Sequence, residues 1–197
     1  RAIKAALDDC PREDHRHGII HDCLPTPEGI QICRDYHIQM PMQSAFIGWK
    51  QEPDDYLEHI LGHDRLEKLN PIKTFRDNDI MVSFGSDAPC TTPDPIVWMD
   101  RAVNNDNAGQ AVSVQDALRM CTYNGAWAAF DEQERGSLEA GKIADMAVLS
   151  ENPYTVPKDK IKDIRVERLY LSGKSYESCR ESILPMMLRG LTSRNKA

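Results

Sequence analysis

The chain has 197 residues, 41% of them hydrophobic and 28% charged, and a net charge of −7, a composition that suits a globular protein with a core of its own. No apolar run approaches the roughly 20 residues that cross a bilayer, and the opening residues, RAIKAALDDCPRED, lack the continuous apolar stretch of a signal peptide. A membrane-embedded role is therefore not expected, and the expected compartment is the cytoplasm. The acidic balance, with no cluster of Lys or Arg before a short tail, also argues against a surface that tracks nucleic-acid phosphates.

The chain opens as a helix already under way, with neither an initiator Met nor an N-cap, and so reads as a fragment. Gly18 to Leu24 (GIIHDCL) predicts a short strand, and the Pro25-Thr26-Pro27 turn leads into a helix over Glu28 to Tyr36. Ile38 to Phe46 predicts a second strand, with Pro41 awkward in its middle. After a polar loop, Tyr56 to His63 and Leu66 to Asp77 read as helical, with a break at Asn70-Pro71. A third strand, IMVSFGSDAP, then carries Asp87 to a point where Gly85, Ser86 and Pro89 turn the chain. A helix over Ile96 to Asn104 follows, then one over SVQDALRMCTYNGAWAAF with Ser113 as N-cap.

This alternation of strands and helices is the mark of βαβ units and a parallel sheet. From Gly136 the pattern changes: GSLEAGKIADMAVL and IKDIRVERLYLSGKSY are strand-like with glycine turns, which predicts a small β-rich unit. A short helix within SILPMMLRGLTSRNKA and a polar basic end complete the chain. The sequence shows no internal repeat and no low-complexity block.

The cysteines, at 10, 23, 33, 90, 121 and 179, form no Cys-x-x-Cys pair, so free and mostly buried thiols are expected and none receives a catalytic role. Of the histidines, His21 stands near the C-terminal end of its strand, as Asp87 does on its own, so a parallel sheet brings the two side chains toward one rim. Imidazole and carboxylate together suit a divalent ion such as zinc, and catalytic zinc keeps one position open for water. His15 and His17 form a His-x-His, but the polar PRED that precedes them predicts a solvent-facing loop. His37 falls at a helix end, where it complements the dipole. His59 and His63 are spaced i, i+4 but lack a following Glu in the zincin position, where Ile60 stands.

The order RHGIIHDCL, GHDRLEKLNPIKTFRDNDIMVSFGSDAP, SVQDALRMCTYNGAWAAF, GSLEAGKIADMAVLSENP and VERLYLSGKSY resembles the amidohydrolase superfamily of metal-dependent hydrolases, in particular its amidohydrolase family 3 branch, over nearly the whole chain. The resemblance implies an α/β fold, the C-terminal part of a TIM (β/α)8 barrel (strands 6 to 8), followed by part of a small β-sandwich domain. It divides the chain into residues 1–132 (barrel), 133–180 (part of a composite β domain) and 181–197 (tail). It carries a metal-binding histidine onto His21 and a metal-binding, catalytic aspartate onto Asp87. The first-strand His-x-His and the fourth- and fifth-strand ligands would lie upstream of Arg1.

Relatives often carry Glu-His-Ala where this chain has Ile20-His21-Asp22, which puts outer support for the histidine in question. Arg65 matches a basic residue of the family, although its pattern reads as capping or salt bridging. Cys90, Thr91, Thr92 and Trp98 fall where barrel loops shape pockets, without naming a substrate. The implied activity is hydrolysis of carbon-nitrogen bonds other than peptide bonds in a small-molecule substrate, with a divalent metal, zinc by preference. The fragment alone is expected to be inactive and to need the missing N-terminal part or self-association to cover open strand edges. The competing reading is a non-catalytic interaction module on the same scaffold.

Overall fold

The computed structural model describes residues 1–47 and 56–176. Helix α1 spans Ala2–Asp9 and α2 spans Pro27–Asp35. The start of α2 follows from its first residues: Thr26 Oγ1 accepts from the Gly29 amide at 3.1 Å, and Pro27 sits where a helix needs no N–H donor. The end of α2 is a complete Schellman motif. His37, at φ 52°, donates its amide to Arg34 O at 3.2 Å, and Ile38 donates to Cys33 O at 2.8 Å. His37 therefore holds a backbone position that usually falls to glycine, and the chain leaves it directly into strand β1, Met40–Met42.

Helices α3 (Tyr56–Leu61), α4 (His63–Leu66) and α5 (Ile72–Asp77) lead to strand β2, Val82–Phe84. The join from α5 to β2 repeats the one before β1. Asp79, at φ 57°, donates to Arg76 O at 3.1 Å, and Ile80 donates to Phe75 O at 3.0 Å. Two left-handed helix ends thus aim two strands, and β1 and β2 pair in parallel, Met40 opposite Val82 and Met42 opposite Phe84.

The expected strand at Gly18 to Leu24 is reduced to a single parallel bridge, Gly18 to Gln39. Gln39 donates to His17 O at 2.9 Å and Ile19 donates to Gln39 O at 3.0 Å. The next rung would need an N–H from residue 41 to the carbonyl of residue 19, and Pro41 has none. Pro41 therefore does not break β1, as feared from the sequence; it ends the pairing on the other side. Past β1 the chain turns into a 3-10 turn at Ser44–Phe46, so the strand expected to reach Phe46 stops at Met42.

Two long helices are also interrupted. Gly62, at φ 73°, separates α3 from α4, so the helix expected over Tyr56 to His63 is two pieces. The break expected at Asn70-Pro71 is present, with Asn70 at φ 50° and α5 starting at Ile72, while a turn replaces the helix expected between Leu66 and that break. Helix α6 is Pro95–Val103, capped by Asp94, whose carboxylate accepts from the Ile96 amide at 3.0 Å. Beyond it the single helix expected over Ser113 to Phe130 is α7 (Val114–Cys121) and α8 (Tyr123–Ala128). Ser113 caps α7 as expected, accepting from the Asp116 amide at 3.0 Å and donating to Asp116 Oδ2 at 2.7 Å. Thr122 breaks the run, its hydroxyl donating to Leu118 O at 2.8 Å.

The core lies where β1 and β2 meet the helices. Ile38, Met40, Met42, Ile72, Phe75, Val82 and Met99 are each 1% exposed or less; β2 is buried on both faces, as parallel strands between helices are, and β1 is buried at Met40 and Met42 with Pro41 partly exposed on the other face. Asn124 of α8 donates to Val82 O at 2.7 Å, covering the carbonyl edge of β2. The C-terminal unit is an antiparallel sheet of β3 (Met146–Leu149), β4 (Val166–Leu171) and β5 (Lys174–Tyr176). Ser172 and Gly173, both at positive φ, make the two-residue turn between β4 and β5. Residues 136–145, expected to be strand-like, are mostly turns, with Gly136 and Gly141 at φ 90° and 95°. The expected C-terminal helix lies outside the described residues.

Candidate functional site

The three parallel segments run in the order Gly18, β1, β2, and their C-terminal ends form one rim. His21 leaves the first and Asp87 leaves the third. Both residues are at positive φ, 61° and 53°, a conformation that costs a non-glycine residue about 1–2 kcal/mol and that tends to persist at functional sites. At Asp87 the surrounding turn is held by short-range bonds: Ala88 N to Ser86 Oγ at 3.1 Å, Cys90 N to Asp87 O at 2.8 Å, and Thr91 Oγ1 to Ser86 O.

The two side chains meet. His21 Nε2 lies 3.4 Å from Asp87 Oδ2, with the side chains 40% and 44% exposed. The ring of Phe46 stands 5.7 Å from that of His21 and walls one side. Two donors bound at about 2.1 Å to one tetrahedral ion stand roughly 3.4 Å apart, which is the separation found, and neutral imidazole with carboxylate is a donor set that zinc accepts. Among the described residues, no group of three or more His, Cys, Asp and Glu side chains gathers to hold a metal. The described residues thus bring together one imidazole and one carboxylate and no third such group.

The other histidines go elsewhere. His15 Nδ1 accepts from the His17 amide at 2.9 Å, so its Nε2 carries the hydrogen that bonds Tyr36 O at 2.8 Å. The two rings stack at 4.8 Å, and these bonds close a loop. His63 stands between Glu58 and Glu67, 3.4 Å from each, on the surface, and Gly62 keeps it off the helix of His59. Arg65 bonds back to Leu61 O and Ile60 O, which is the capping role its pattern suggested. Trp98 Nε1 donates to Thr92 O at 3.0 Å and Cys90 is exposed, so the loop after Asp87 is tied to α6. Ile20, beside His21, is 60% exposed.

A feature that the sequence reading missed fixes the first segment. Arg16, its side chain 8% exposed, pairs with Glu132 at 2.7 Å and Asp14 at 2.8 Å and lies over the rings of Trp127 and Phe130, at 4.5 and 4.1 Å from their centroids. It ties the chain just before His21 to the end of α8. The Arg16 guanidinium holds the Glu132 carboxyl down at about 2. The signal was present in RHGIIHDCL, but a contact spanning more than a hundred residues has no local signature.

Past the Gly18 rung the sheet edge opens on a cavity of about 420 Å³ between α1 and α2, lined in part by Ile3, Ile19, Asp22, Cys33 and Ile38. Burial raises the carboxyl of Asp22 above the ordinary aspartate value. No helix among the described residues is long and apolar enough to cross a membrane.

The sequence model of the Amidohydrolase family matches residues 1–176. The N-substituted formamide deformylase of Arthrobacter pascens is 32% identical over 152 residues, which cover 74% of this chain and 26% of that protein. Among solved structures, an uncharacterized metal-dependent hydrolase from Pyrococcus horikoshii aligns with a TM-score of 0.62 at 23% identity, over 80% of this chain and 33% of that one. An adenosine deaminase from Xanthomonas campestris with bound zinc aligns with a TM-score of 0.62 at 18% identity, over 96% and 44%. The chain therefore spans less than half the length of each of these proteins. With the family model covering the α/β part and the antiparallel unit alike, the chain belongs to the Amidohydrolase family.

Proposed function

We propose that this chain supplies the metal-binding His21 and the metal-binding, catalytic Asp87 of a metal-dependent hydrolase of carbon-nitrogen bonds other than peptide bonds. The observation that carries the reading is the 3.4 Å separation of His21 Nε2 and Asp87 Oδ2 at the carboxyl ends of parallel strands. In this reading the Gly18 segment, β1 and β2 are strands 6, 7 and 8 of a (β/α)8 barrel formed by residues 1–132. Residues 133–180 form part of a composite β domain, and residues 181–197 form a tail. The open cavity beside Ile19 is where a preceding strand would pack, and the N-terminal part of the same protein would bring the remaining ligands. The protein works in the cytoplasm on a small molecule, and the N-terminal part or, in its place, self-association covers the open strand edges.

A bound divalent ion, zinc by preference, supplies Lewis-acid chemistry: it lowers the pKa of water toward about 7 and polarises a carbonyl. The chain's own groups do the rest. His21 holds the ion through Nε2 and needs to be neutral to do so. Asp87 accepts a proton from the attacking water and passes it to the leaving nitrogen, acting as base and then as acid. An amide or related bond yields a carboxylate and an amine.

The test is metal analysis and turnover of the full-length gene product. Stoichiometric zinc and hydrolysis of an N-substituted formamide are expected, with Asp87→Asn lowering kcat by roughly 100-fold or more. The purified 197-residue chain is expected to show no turnover. A metal-free, inactive full-length protein would instead favour a non-catalytic interaction module.

A further inference from the structure

Between the segments that carry His21 and Asp87 runs β1, and Gln43 is the residue that follows it. The register sets its place: Met42 lies opposite Phe84, and the Gly85 amide donates to Met42 O at 3.1 Å. Gln43 therefore stands beside Gly85, two residues before Asp87. The Phe46 amide donates to Gln43 O at 3.0 Å, so the residue whose ring walls His21 is hung from Gln43.

The side chain is out of keeping with its surroundings. Gln43 is 8% exposed, yet among the described residues its carboxamide makes one contact, Nε2 to Pro41 O at 3.4 Å, at the outer edge of hydrogen bonding. Oε1 has no partner among the described residues. Oε1 is not among the fully buried unpaired atoms of the described residues, so it stands open to an incoming group. Opposite it Gly85 has no side chain, and a Cβ there would stand 3.9 Å from Gln43 Nε2. The amide therefore faces backbone rather than a bulky neighbour.

Resting on the hydrolase reading, we infer that Gln43 is a substrate-orienting residue whose carboxamide hydrogen-bonds the substrate's own C(=O)–N–H group between His21 and Asp87. A carboxamide carries a donor and an acceptor side by side, which complements a primary amide, or a secondary amide turned so that its C=O and N–H share one edge. The group selects primary and secondary amides, because an N,N-disubstituted amide has no hydrogen to give to Oε1.

The experiment uses the zinc-loaded full-length gene product with N-benzylformamide and N-benzyl-N-methylformamide as probes. Gln43→Met is expected to keep zinc content and melting temperature, to raise KM for N-benzylformamide about two- to tenfold, the range of one or two hydrogen bonds, and to erase the preference over the N-methyl analogue. Where Gln43→Met does not fold, Gln43→Glu, which keeps the acceptors and loses the donor, carries the test with the same KM readout. Unchanged KM and unchanged preference in a folded, zinc-loaded variant overturn this inference alone. Absence of zinc and turnover in the unsubstituted protein overturns the hydrolase reading, and this inference with it.

Discussion

The two sheets of this molecule are built on opposite terms. In the parallel part, β1 and β2 are each three residues long, are buried but for a partly exposed Pro41, and are aimed by helix ends of the same left-handed design. In the antiparallel unit β3 and β4 are longer, at four and six residues, and β5 has three, yet Val148, Val166, Leu171 and Tyr176 are all more than 40% exposed. Short, enclosed strands hold the rim where His21 and Asp87 meet; longer strands with uncovered apolar side chains hang from turns. The contrast teaches that the strength of a sheet here follows from what covers it and not from the number of rungs.

The largest effect expected from that contrast is in the enclosed part. Phe75 is 0% exposed, on the helix that aims β2, and Phe75→Ala should destabilise the chain by about 3–5 kcal/mol through lost burial and the cavity left behind. Urea unfolding followed by circular dichroism measures it. A loss under about 1 kcal/mol would mean that this core collapses around the deletion and that the two regions do not differ as described.

A smaller effect is expected at the clasp that joins the two ends of the parallel part. Glu132 titrates at about 2 in the folded chain against an ordinary 4.5, because Arg16 holds it ionised. A depressed folded pKa gives stability that is complete above the unfolded value and is lost as pH falls toward the folded one. Melting temperature should therefore fall between about pH 4.5 and 2 in the wild type, and that limb should be shallower in Glu132→Gln. Parallel pH curves for the two proteins would remove the clasp from the account.

What the sequence revealed and what it hid divide along the same line. Caps at Thr26, Asp94 and Ser113 and the turn at Asp87 are local chemistry, so helix starts and the placement of His21 and Asp87 on one rim were legible. Strand lengths were not. The Gly18 strand stops because a proline on its neighbour lacks a donor, which is a fact about residue 41 and not about residues 18–24. The helix ends near His37 and Asp77 were legible, but the left-handed backbone at His37 and Asp79 was not, because glycine is the usual occupant and neither residue announces it. The Arg16 clasp joins residues 116 apart, and Gln43 reads as an ordinary polar residue until the register puts it between two strand ends.

The smallest effect is the one that decides what the antiparallel unit is for. Val166 is half exposed on β4, and a surface substitution of that kind usually changes stability by no more than about 0.5 kcal/mol. Val166→Thr should therefore be near neutral in the 197-residue chain. If residues 133–180 complete a composite domain with another part of the same protein, the valine becomes buried there, and the same change should cost about 1 kcal/mol in the full-length protein, since threonine brings a hydroxyl into an apolar contact. The pair of measurements is read as a difference. Equal, near-zero costs in both proteins would mean that β4 stays exposed in the whole molecule, and that its apolar side chains serve something other than completing a domain.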